Sequence, residues 1–412
     1  MTLRVLLLTQ WFEPEPTFKG LGFAKELIKQ GLEVEVVTGF PNYPIGKLYP
    51  GFKIKPIQRE LIDGVKITRV ALYPSHDRSA IRRFLNYASF AFSSLLYCLF
   101  YVRNVDVIYA YHPPLTIGVT ASLLRIIRRI PVVYDIQDLW PDTLRTTGML
   151  NNERVLSIVN MVCNQVYKQV DQIVVLSTGF KNLLIERGVP ERKIEIIYNW
   201  SEENYLKVPF DGIPSSFPNA ENFRLVFAGN MGAPQSLGAV LEAAKLLMFR
   251  KVPAKLIFVG TGLEVEELKK KALDLELTNV IFYPPVPMSE IGAYLNNADA
   301  LLVHLKANEL FKITIPSKTQ AYMAVGKPIL MAVEGDAAEL IKVAGCGVLA
   351  KPENSTSIAD GVESLVKMSL EERHAMGLRG LNFYQQNLSL KVGLAKFKKI
   401  FEDVVQKSKA NQ

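Results

Sequence analysis

Ile315-Pro316-Ser317-Lys318-Thr319-Gln320-Ala321-Tyr322-Met323-Ala324-Val325-Gly326-Lys327-Pro328-Ile329-Leu330 reads as a loop, a short helix and the start of a strand. Ser317 and Lys318 open the helix, Gly326 and Pro328 close it, and Pro-Ile-Leu-Met-Ala begins the strand. The N-terminus of a helix presents free N–H groups and a positive dipole, and a lysine there adds a full charge. That combination suits a phosphate. The spacing alone fits an ordinary surface loop, helix and strand equally well, and the rest of the chain has to decide.

Outward from this stretch, short apolar runs alternate with helical ones. The early runs are Arg4–Thr9, Glu33–Thr38, Lys66–Ala71, Val105–Tyr109, Val132–Ile136 and Gln172–Leu176. They are rich in Val and Ile and bounded by Gly, Pro or Asp, as buried parallel strands are. A helix over Gly22–Gln30 ends at Gly31. The pattern starts afresh at Phe223, with strands at Arg224–Ala228, Lys255–Val259, Val280–Tyr283, Ala300–His304, Pro328–Ala332 and Gly347–Ala350. The fold class is therefore α/β, with two Rossmann-like doubly wound domains. Residues 1–200 form the first and 201–389 the second, joined through the aperiodic segment Ser201–Asn222. A basic amphipathic helix over about 390–412 is expected to pack back on the first domain. Ligands of such sheets bind at the carboxyl ends of the strands, which places the expected site in a cleft between the domains.

Composition narrows the function. The chain has 412 residues, 49% hydrophobic and 21% charged, enough for full cores in more than one domain. Three scattered cysteines and four dispersed histidines offer neither a disulfide framework nor a metal cluster, and fit a reducing compartment. The run LRVLLLT near the start is too short for a signal peptide and reads as a first strand, so the chain is expected to stay in the cytosol. The net charge is +8. From Arg78 to Arg129 seven arginines face one acid, Asp106, and between them Phe84–Val102 carries no charge. Basic patches attract nucleic acid or anionic lipid, and so apolar a segment favours lipid. Three readings of that segment stand: a buried helix, a helix dipping into one leaflet with Arg82, Arg83 and Arg103 at the headgroups, or a span.

Three glycine-rich turns lie at expected strand ends: Phe18-Lys19-Gly20-Leu21-Gly22, Ala228-Gly229-Asn230-Met231-Gly232 and Val259-Gly260-Thr261-Gly262. Glycine lets backbone approach a ligand closely. None matches a dinucleotide fingerprint or a Walker loop, and singly each fits a plain strand-helix turn. Together with Lys318 they suggest a phosphorylated sugar or a nucleotide.

LLLTQWFEPEP with its following glycines, VEVVTGFPNYPIGK, VDVIYAYHPPLTIG, PVVYDIQDLWPDT, IIYNW, VFAGNMG, FVGTG and IPSKTQAYMAVGKPIL together resemble, in order and spacing, the GT-B glycosyltransferases of the retaining family-4 group. Within it the chain is similar to bacterial enzymes that add aminosugars of the N-acetyl-L-fucosamine type to lipid-linked O-antigen or capsule precursors. The resemblance implies a UDP-sugar donor on the second domain and a polyprenyl-diphosphate-linked saccharide acceptor on the first. It implies no metal or other cofactor and no nucleic acid. It also implies a peripheral or monotopic place on the anionic cytoplasmic face of the inner membrane. It assigns Ser317, Lys318, Gly229, Asn230 and Gly260 to the donor diphosphate and its surroundings, the backbone at Phe282–Pro285 to the base, and Gly20 to a donor phosphate. Glu334 and Asp336 fall where donor-sugar hydroxyls are held, or else form a solvated acidic turn. Asp138 is the catalytic candidate on the acceptor side, a carboxylate able to take the proton of the attacking hydroxyl, or else a helix cap. His112, Gln137 and Trp140 fall beside it, and Asp142 reads as the cap of the next helix.

The chain departs from that pattern twice. Where many relatives carry a pair of glutamates, the second of which holds the ribose, it has Ile313 and Ala321, so that Gln320 or Glu309 stands in or the ribose is held otherwise. Where many carry histidine, it has Gln137. Lys318 and the helix N-terminus would stabilise the leaving diphosphate while the acceptor attacks from the same face. No carboxylate pair suited to double displacement is evident. A GT-B phosphorylase or epimerase, and an inactive sugar-nucleotide-binding subunit, are the competing readings.

Overall fold

The computed structural model describes residues 2–76, 79–146, 148–206, 217–219 and 221–410. Arg78, half of the junction segment (207–216 and 220) and the last two residues lie outside the described residues. The chain forms two compact units. Unit 1 takes residues from 1–176, 180–197 and 394–412, and unit 2 takes 177–179 and 198–393.

Unit 1 holds strands β1 (Arg4–Leu8), β2 (Glu33–Gly39), β3 (Ile57–Ile62), β4 (Val65–Val70), β5 (Val107–Tyr111), β6 (Val132–Asp135), β7 (Gln172–Val175) and β8 (Ile194–Ile196). They lie in the order β3-β4-β2-β1-β5-β6-β7-β8, all parallel except the β3–β4 pair. Every residue of β5, β6 and β7 is buried, because crossover helices cover both faces of a parallel sheet. These helices include α1 (Leu21–Lys29), α2 (Ala80–Phe100), α3 (Leu115–Arg128), α4 (Asp142–Thr146) and α5 (Glu153–Gln169).

β3 is an addition to the sequence reading. Its run IQRELI lacks an apolar core because it is an edge strand, where charges discourage further pairing. The Asp63-Gly64 turn joins it to β4, with both residues at positive φ (48° and 84°), as a two-residue hairpin demands. β8 has only three residues and shows no period to read.

Unit 2 holds β9 (Phe223–Ala228), β10 (Ala254–Val259), β11 (Val280–Tyr283), β12 (Ala300–His304), β13 (Ile329–Ala332) and β14 (Gly347–Leu349). Their order is β11-β10-β9-β12-β13-β14, the doubly wound arrangement in which strand order reverses beside the first strand. Two apolar clusters pack on its opposite faces, one including Val226, Met323 and Ile341, the other including Phe227, Leu241 and Val362. The segments that enter and leave this unit are fastened by polar contacts. The Tyr384 hydroxyl donates to Glu203 (3.0 Å) and accepts from the Ser201 N–H (3.0 Å), and Glu203 also accepts from Leu390 N–H (3.1 Å).

The C-terminal helix, Leu390–Ala410, presents Phe397 and Phe401 to unit 1. Phe397 meets Phe23 of α1 (5.4 Å) and Tyr109 of β5 (5.3 Å) edge to face. Beneath them lies an ion pair with no solvent exposure, between Lys19 after β1 and Asp135 at the end of β6. Lys19 Nζ also sits 4.9 Å from the Phe397 ring, and the Tyr109 hydroxyl donates to Asp135 (2.5 Å). Lys19→Met leaves the Asp135 charge buried without its cation. It is expected to lower the stability of unit 1 by about 3–5 kcal/mol, read from urea unfolding followed by tryptophan fluorescence. Lys19→Met/Asp135→Leu should recover part of that loss.

Candidate functional site

In unit 2 the sheet register aligns three strand ends, with Ala228 paired to Val259 and Val259 to Tyr283. The loops beginning at Gly229, Gly260 and Pro284 therefore start at one level, with the proposed base-facing residues Phe282–Pro285 among them. Gly229 and Gly260 have φ of 127° and 142°. A Cβ on Gly260 would lie 2.1 Å from the Gly229 carbonyl oxygen, and one on Gly262 only 2.0 Å from that of Met231. Gly229 N–H donates to Val259 O and Met231 N–H to Thr261 O, both at 2.8 Å. The two turns are laced backbone to backbone, and glycine is what lets them meet.

The Ser317–Val325 helix ends on these turns. Pro316 supplies no capping side chain, so the first N–H groups after it are left to a ligand or to water. Lys318 and Tyr322 share a helix face, one turn apart. Tyr322 is buried, and its hydroxyl accepts from the Ala228 N–H at 2.9 Å. That bond holds the helix against the end of β9 and sets Lys318 beside Gly229. Lys318 Nζ lies 4.8 Å from the Phe227 ring. A Cβ on Gly229 would come within 2.8 Å of Nζ. Burial lowers the Lys318 ammonium to about 8. Ser317 and Asn230 are exposed beside it.

His304, which the sequence reading passed over, supports this turn from behind. It ends β12, is buried, and accepts at Nε2 from Glu353 N–H (3.0 Å) while its Nδ1–H donates to Gln235 O (2.6 Å). Burial lowers its pKa. The Gln235 side chain in turn accepts from Asn230 Nδ2 (3.2 Å) and Gly232 N–H (3.1 Å). A histidine at a strand's carboxyl end was the available signal.

The stand-ins for the ribose glutamates are otherwise engaged. Gln320 is buried, and its amide nitrogen donates back to Pro316 O (2.8 Å) and Ser317 O (3.2 Å) in its own first turn. Glu309 pairs with Lys312 (2.7 Å), which also approaches Glu334 (3.7 Å). Glu334 remains exposed. Asp336, assigned with it to sugar hydroxyls, instead accepts the Gly179 N–H at 2.6 Å within unit 2.

In unit 1 the two glutamates of the Glu-Pro-Glu-Pro loop organise the strand-end loops. Glu13 accepts from Leu21 N–H (2.7 Å) at the start of α1, and a Cβ on Gly20 would lie 2.5 Å from both its oxygens. The place the resemblance gives to a donor phosphate at Gly20 is thus held by a carboxylate of the same loop. Glu15 accepts from the N–H groups of Phe12 (3.1 Å), Asn42 and Tyr43 (both 2.7 Å). Burial outweighs these donors and raises Glu15 to about 7.

Asp138 is half-buried and makes no hydrogen bond or ion pair with any described residue, so it caps no helix; burial raises its pKa above the ordinary carboxylate value. Its charge is felt by Tyr43, Tyr87 and Tyr111. Half-buried rings surround this region: Trp11 stacks on Tyr43 (4.2 Å), and Tyr87 lies 6.5 Å from Trp140. Of these only Trp140 was singled out in the sequence, because the others come from three separate loops or helices. Gln137 donates to Asp135 Oδ1 (2.6 Å). His112, expected to line the acceptor site, is buried between Tyr134 (5.9 Å) and Trp140 (5.7 Å). Burial lowers its imidazole to about 3, so it stays neutral. Asp142, expected to cap α4, instead pairs with Arg187.

α2 resolves the apolar segment. Asn86, Phe90, Ser94, Tyr97 and Cys98 are buried, and Asn86 bonds Gln10 (2.6 Å) and Tyr73 O (2.7 Å). Phe84, Leu85, Phe92, Leu96 and Phe100 on the other side are exposed. Arg82 and Arg83 stand near its start and Arg103 just past its end. Among the described residues no helix is long and apolar enough to cross a membrane, and no three His, Cys, Asp or Glu side chains are grouped to hold a metal ion.

Comparison with known proteins fits both units. Residues 21–200 match the family described as glycosyl transferase 4-like domain, and residues 213–382 match glycosyl transferases group 1. The chain is 26% identical over 313 residues to a probable glycosyltransferase, WbjE, of Pseudomonas aeruginosa, covering 74% of this chain and 77% of that one. It is 23% identical over 396 residues to the N-acetyl-alpha-D-glucosaminyl L-malate synthase of Bacillus anthracis, covering 95% and 94%. The structure of Anabaena HepE in complex with UDP-glucose is similar at a TM-score of 0.63 and 17% identity, over 97% of this chain and 100% of that one. The chain is a glycosyltransferase of the GT-B fold, built from a glycosyl transferase 4-like domain and a group 1 domain.

Proposed function

We propose that the chain transfers a sugar, of the N-acetylated aminosugar class, from a UDP-sugar to a lipid-diphosphate-linked saccharide, with retention, in the assembly of a bacterial surface polysaccharide. The observation that carries the donor half is Lys318 held over the glycine turn at an uncapped helix N-terminus. A diphosphate placed there meets a cation and free N–H groups together, which lowers the barrier as charge develops on the leaving group. The neighbour solved with UDP-glucose supports a UDP-sugar, and the relative named for N-acetylglucosaminyl transfer supports an aminosugar.

On the acceptor side, Trp11, Tyr43, Tyr87 and Trp140 offer faces for sugar rings around the Asp138 carboxylate. In the proposed step the bond from the anomeric carbon to the UDP oxygen breaks. The acceptor oxygen bonds to that carbon from the same face, and its proton passes to Asp138. Desolvation makes Asp138 a stronger base than an exposed aspartate. The lysine and the helix dipole neutralise the diphosphate in place of a metal ion. The exposed apolar side of α2, flanked by Arg82, Arg83 and Arg103, would rest on the anionic cytoplasmic face of the inner membrane, where such acceptors reside.

The lack of a ribose-binding carboxylate at Ala321, with Gln320 turned into its own helix, favours one second reading, an inactive subunit that binds sugar nucleotides. A transfer assay separates the two. Lipid-diphosphate-linked N-acetylglucosamine is incubated with a panel of UDP-sugars in the presence of a chelator and read by mass spectrometry. The expected product carries one added sugar, and UDP binding without any product would support the inactive subunit. Lys318→Ala should cut turnover by more than about tenfold, and Asp138→Asn should lower kcat with little change in UDP affinity.

The pH dependence follows from Lys318. Its ammonium is present in the free protein below about 8; above that, UDP binding must take up a proton. The dissociation constant of UDP, measured calorimetrically, should rise with pH above 8, by up to about tenfold per unit. Lys318→Gln should bind more weakly and remove this rise.

A further inference from the structure

Unit 1 carries a concavity of about 990 Å³ at the edge of its sheet opposite Asp138. Gln172, the first residue of β7, lines it, whereas Asp138 follows the last residue of β6. Its walls are the C-terminal ends of α3 and α5, the turn Glu191–Lys193, and Val404, Lys407 and Ser408 of the C-terminal helix. Among the described residues seven cations line it, three of them Arg125, Arg128 and Lys193, and the only carboxylate is that of Asp171.

Some of this charge has a structural purpose. Arg125 holds Asp171 through two bonds (2.7 and 3.0 Å), and Asp171 also accepts Val132 N–H (2.9 Å). Arg128 donates to Cys98 O (2.8 Å) and Val102 O (2.6 Å), and Lys193 to Tyr167 O and Lys168 O (both 2.8 Å). Arg125 thus neutralises Asp171, and Arg128 and Lys193 satisfy carbonyls at helix ends. The remaining four do not. Arg129, Lys168, Arg192 and Lys407 are exposed around the concavity and make no hydrogen bond or ion pair with any described residue. Four unpaired cations from four separate elements repel one another, and an anion in the concavity would relieve that repulsion.

The rim says which anion. Leu123, Ile126 and Ile127 of α3 are exposed within about a turn of Arg125–Arg129. A soluble polyanion has no use for that apolar stripe, whereas a phospholipid presents phosphate and hydrocarbon together. We propose that this concavity binds the headgroup phosphates of anionic phospholipid, with Arg129, Lys168, Arg192 and Lys407 as the recognising cations and the α3 stripe entering the interface. This rests on the reading of the chain as a membrane-surface enzyme, and it assigns the lipid contact to residues separate from α2 and its flanking arginines.

The test is flotation of the full chain with vesicles of phosphatidylcholine alone or mixed with phosphatidylglycerol, for the wild type and for Arg129→Gln/Arg192→Gln/Lys407→Gln. All three side chains are exposed, and a melting curve checks folding. The wild type should prefer the mixed vesicles, and the triple variant should lose about a hundredfold in that binding at low salt. Transfer to a water-soluble, short-chain acceptor should be unchanged in the variant. Equal binding of both proteins to mixed vesicles would overturn the proposal. So would saturable binding of inorganic pyrophosphate, abolished in the variant, with no preference for mixed vesicles, because the ligand would then be a soluble anion. If no lipid-linked acceptor supports transfer yet the headgroup preference holds and is lost in the variant, the proposed acceptor fails and this site stands.

Discussion

The turn after β10 presses its Gly260 against the carbonyl of Gly229 so closely that a single added carbon would collide with it, and the donor half of the protein depends on that contact. Parallel strands in register bring both turns to one level, and the turns then bond to each other through main-chain atoms alone. Main chain so placed has no side chains in front of it. The Lys318 ammonium can therefore lie over Gly229, and Tyr322, one turn later, locks the helix to the same strand end. A cation, an uncapped helix start and open glycine main chain are thus gathered by three elements that meet only at their ends, where doubly wound sheets place their ligands.

Unit 1 solves a different problem, that of ordering long loops at the carboxyl ends of its strands. It does so with charge. Glu13 and Glu15 fill positions where main-chain N–H groups would otherwise point at nothing. Lys19 and Asp135 fix the loop after β1 to the end of β6, with Tyr109 and Gln137 completing the carboxylate's bonds. A buried ion pair contributes little net stability compared with an apolar pair, because desolvation offsets most of the attraction. Its value here is geometric: it fixes the strand end from which Asp138 projects. With Asp135 fully bonded, Asp138 is the carboxylate left beside the aromatic rings. Partial burial without a partner sets its basicity.

Much of this was legible in the chain itself. The run from Ile315 to Leu330, the recurring Val- and Ile-rich strands and the second start at Phe223 indicated two α/β halves, because a strand buried on both faces must be apolar throughout. The edge strand Ile57–Ile62 escaped that rule, since its charged residues follow from being at the edge. The lysine of the Ser317–Val325 helix and the glycine turn at Gly229 were also legible, because helix stops and glycines are local signals, whereas Asp138 came only with the family resemblance. What each of these side chains meets was not legible: His112 lies between two rings, Asp336 accepts from the helix start at Gly179 more than a hundred residues away, and Gln320 turns back on its own first turn.

The sequence by itself determined where the buried strands, the helices between them and the glycine turns fall, because periodicity and backbone freedom are local properties of the chain. It also determined that arginines crowd the region around one uncharged segment. Only the tertiary structure decided that this segment is a helix buried on one side and bare on the other. Only the tertiary structure gathered Arg129, Lys168, Arg192 and Lys407 around one concavity. The physical reason is the same in both cases. Burial and electrostatic field are sums over neighbours in space, and the register of the sheet and the packing of helices on it choose those neighbours.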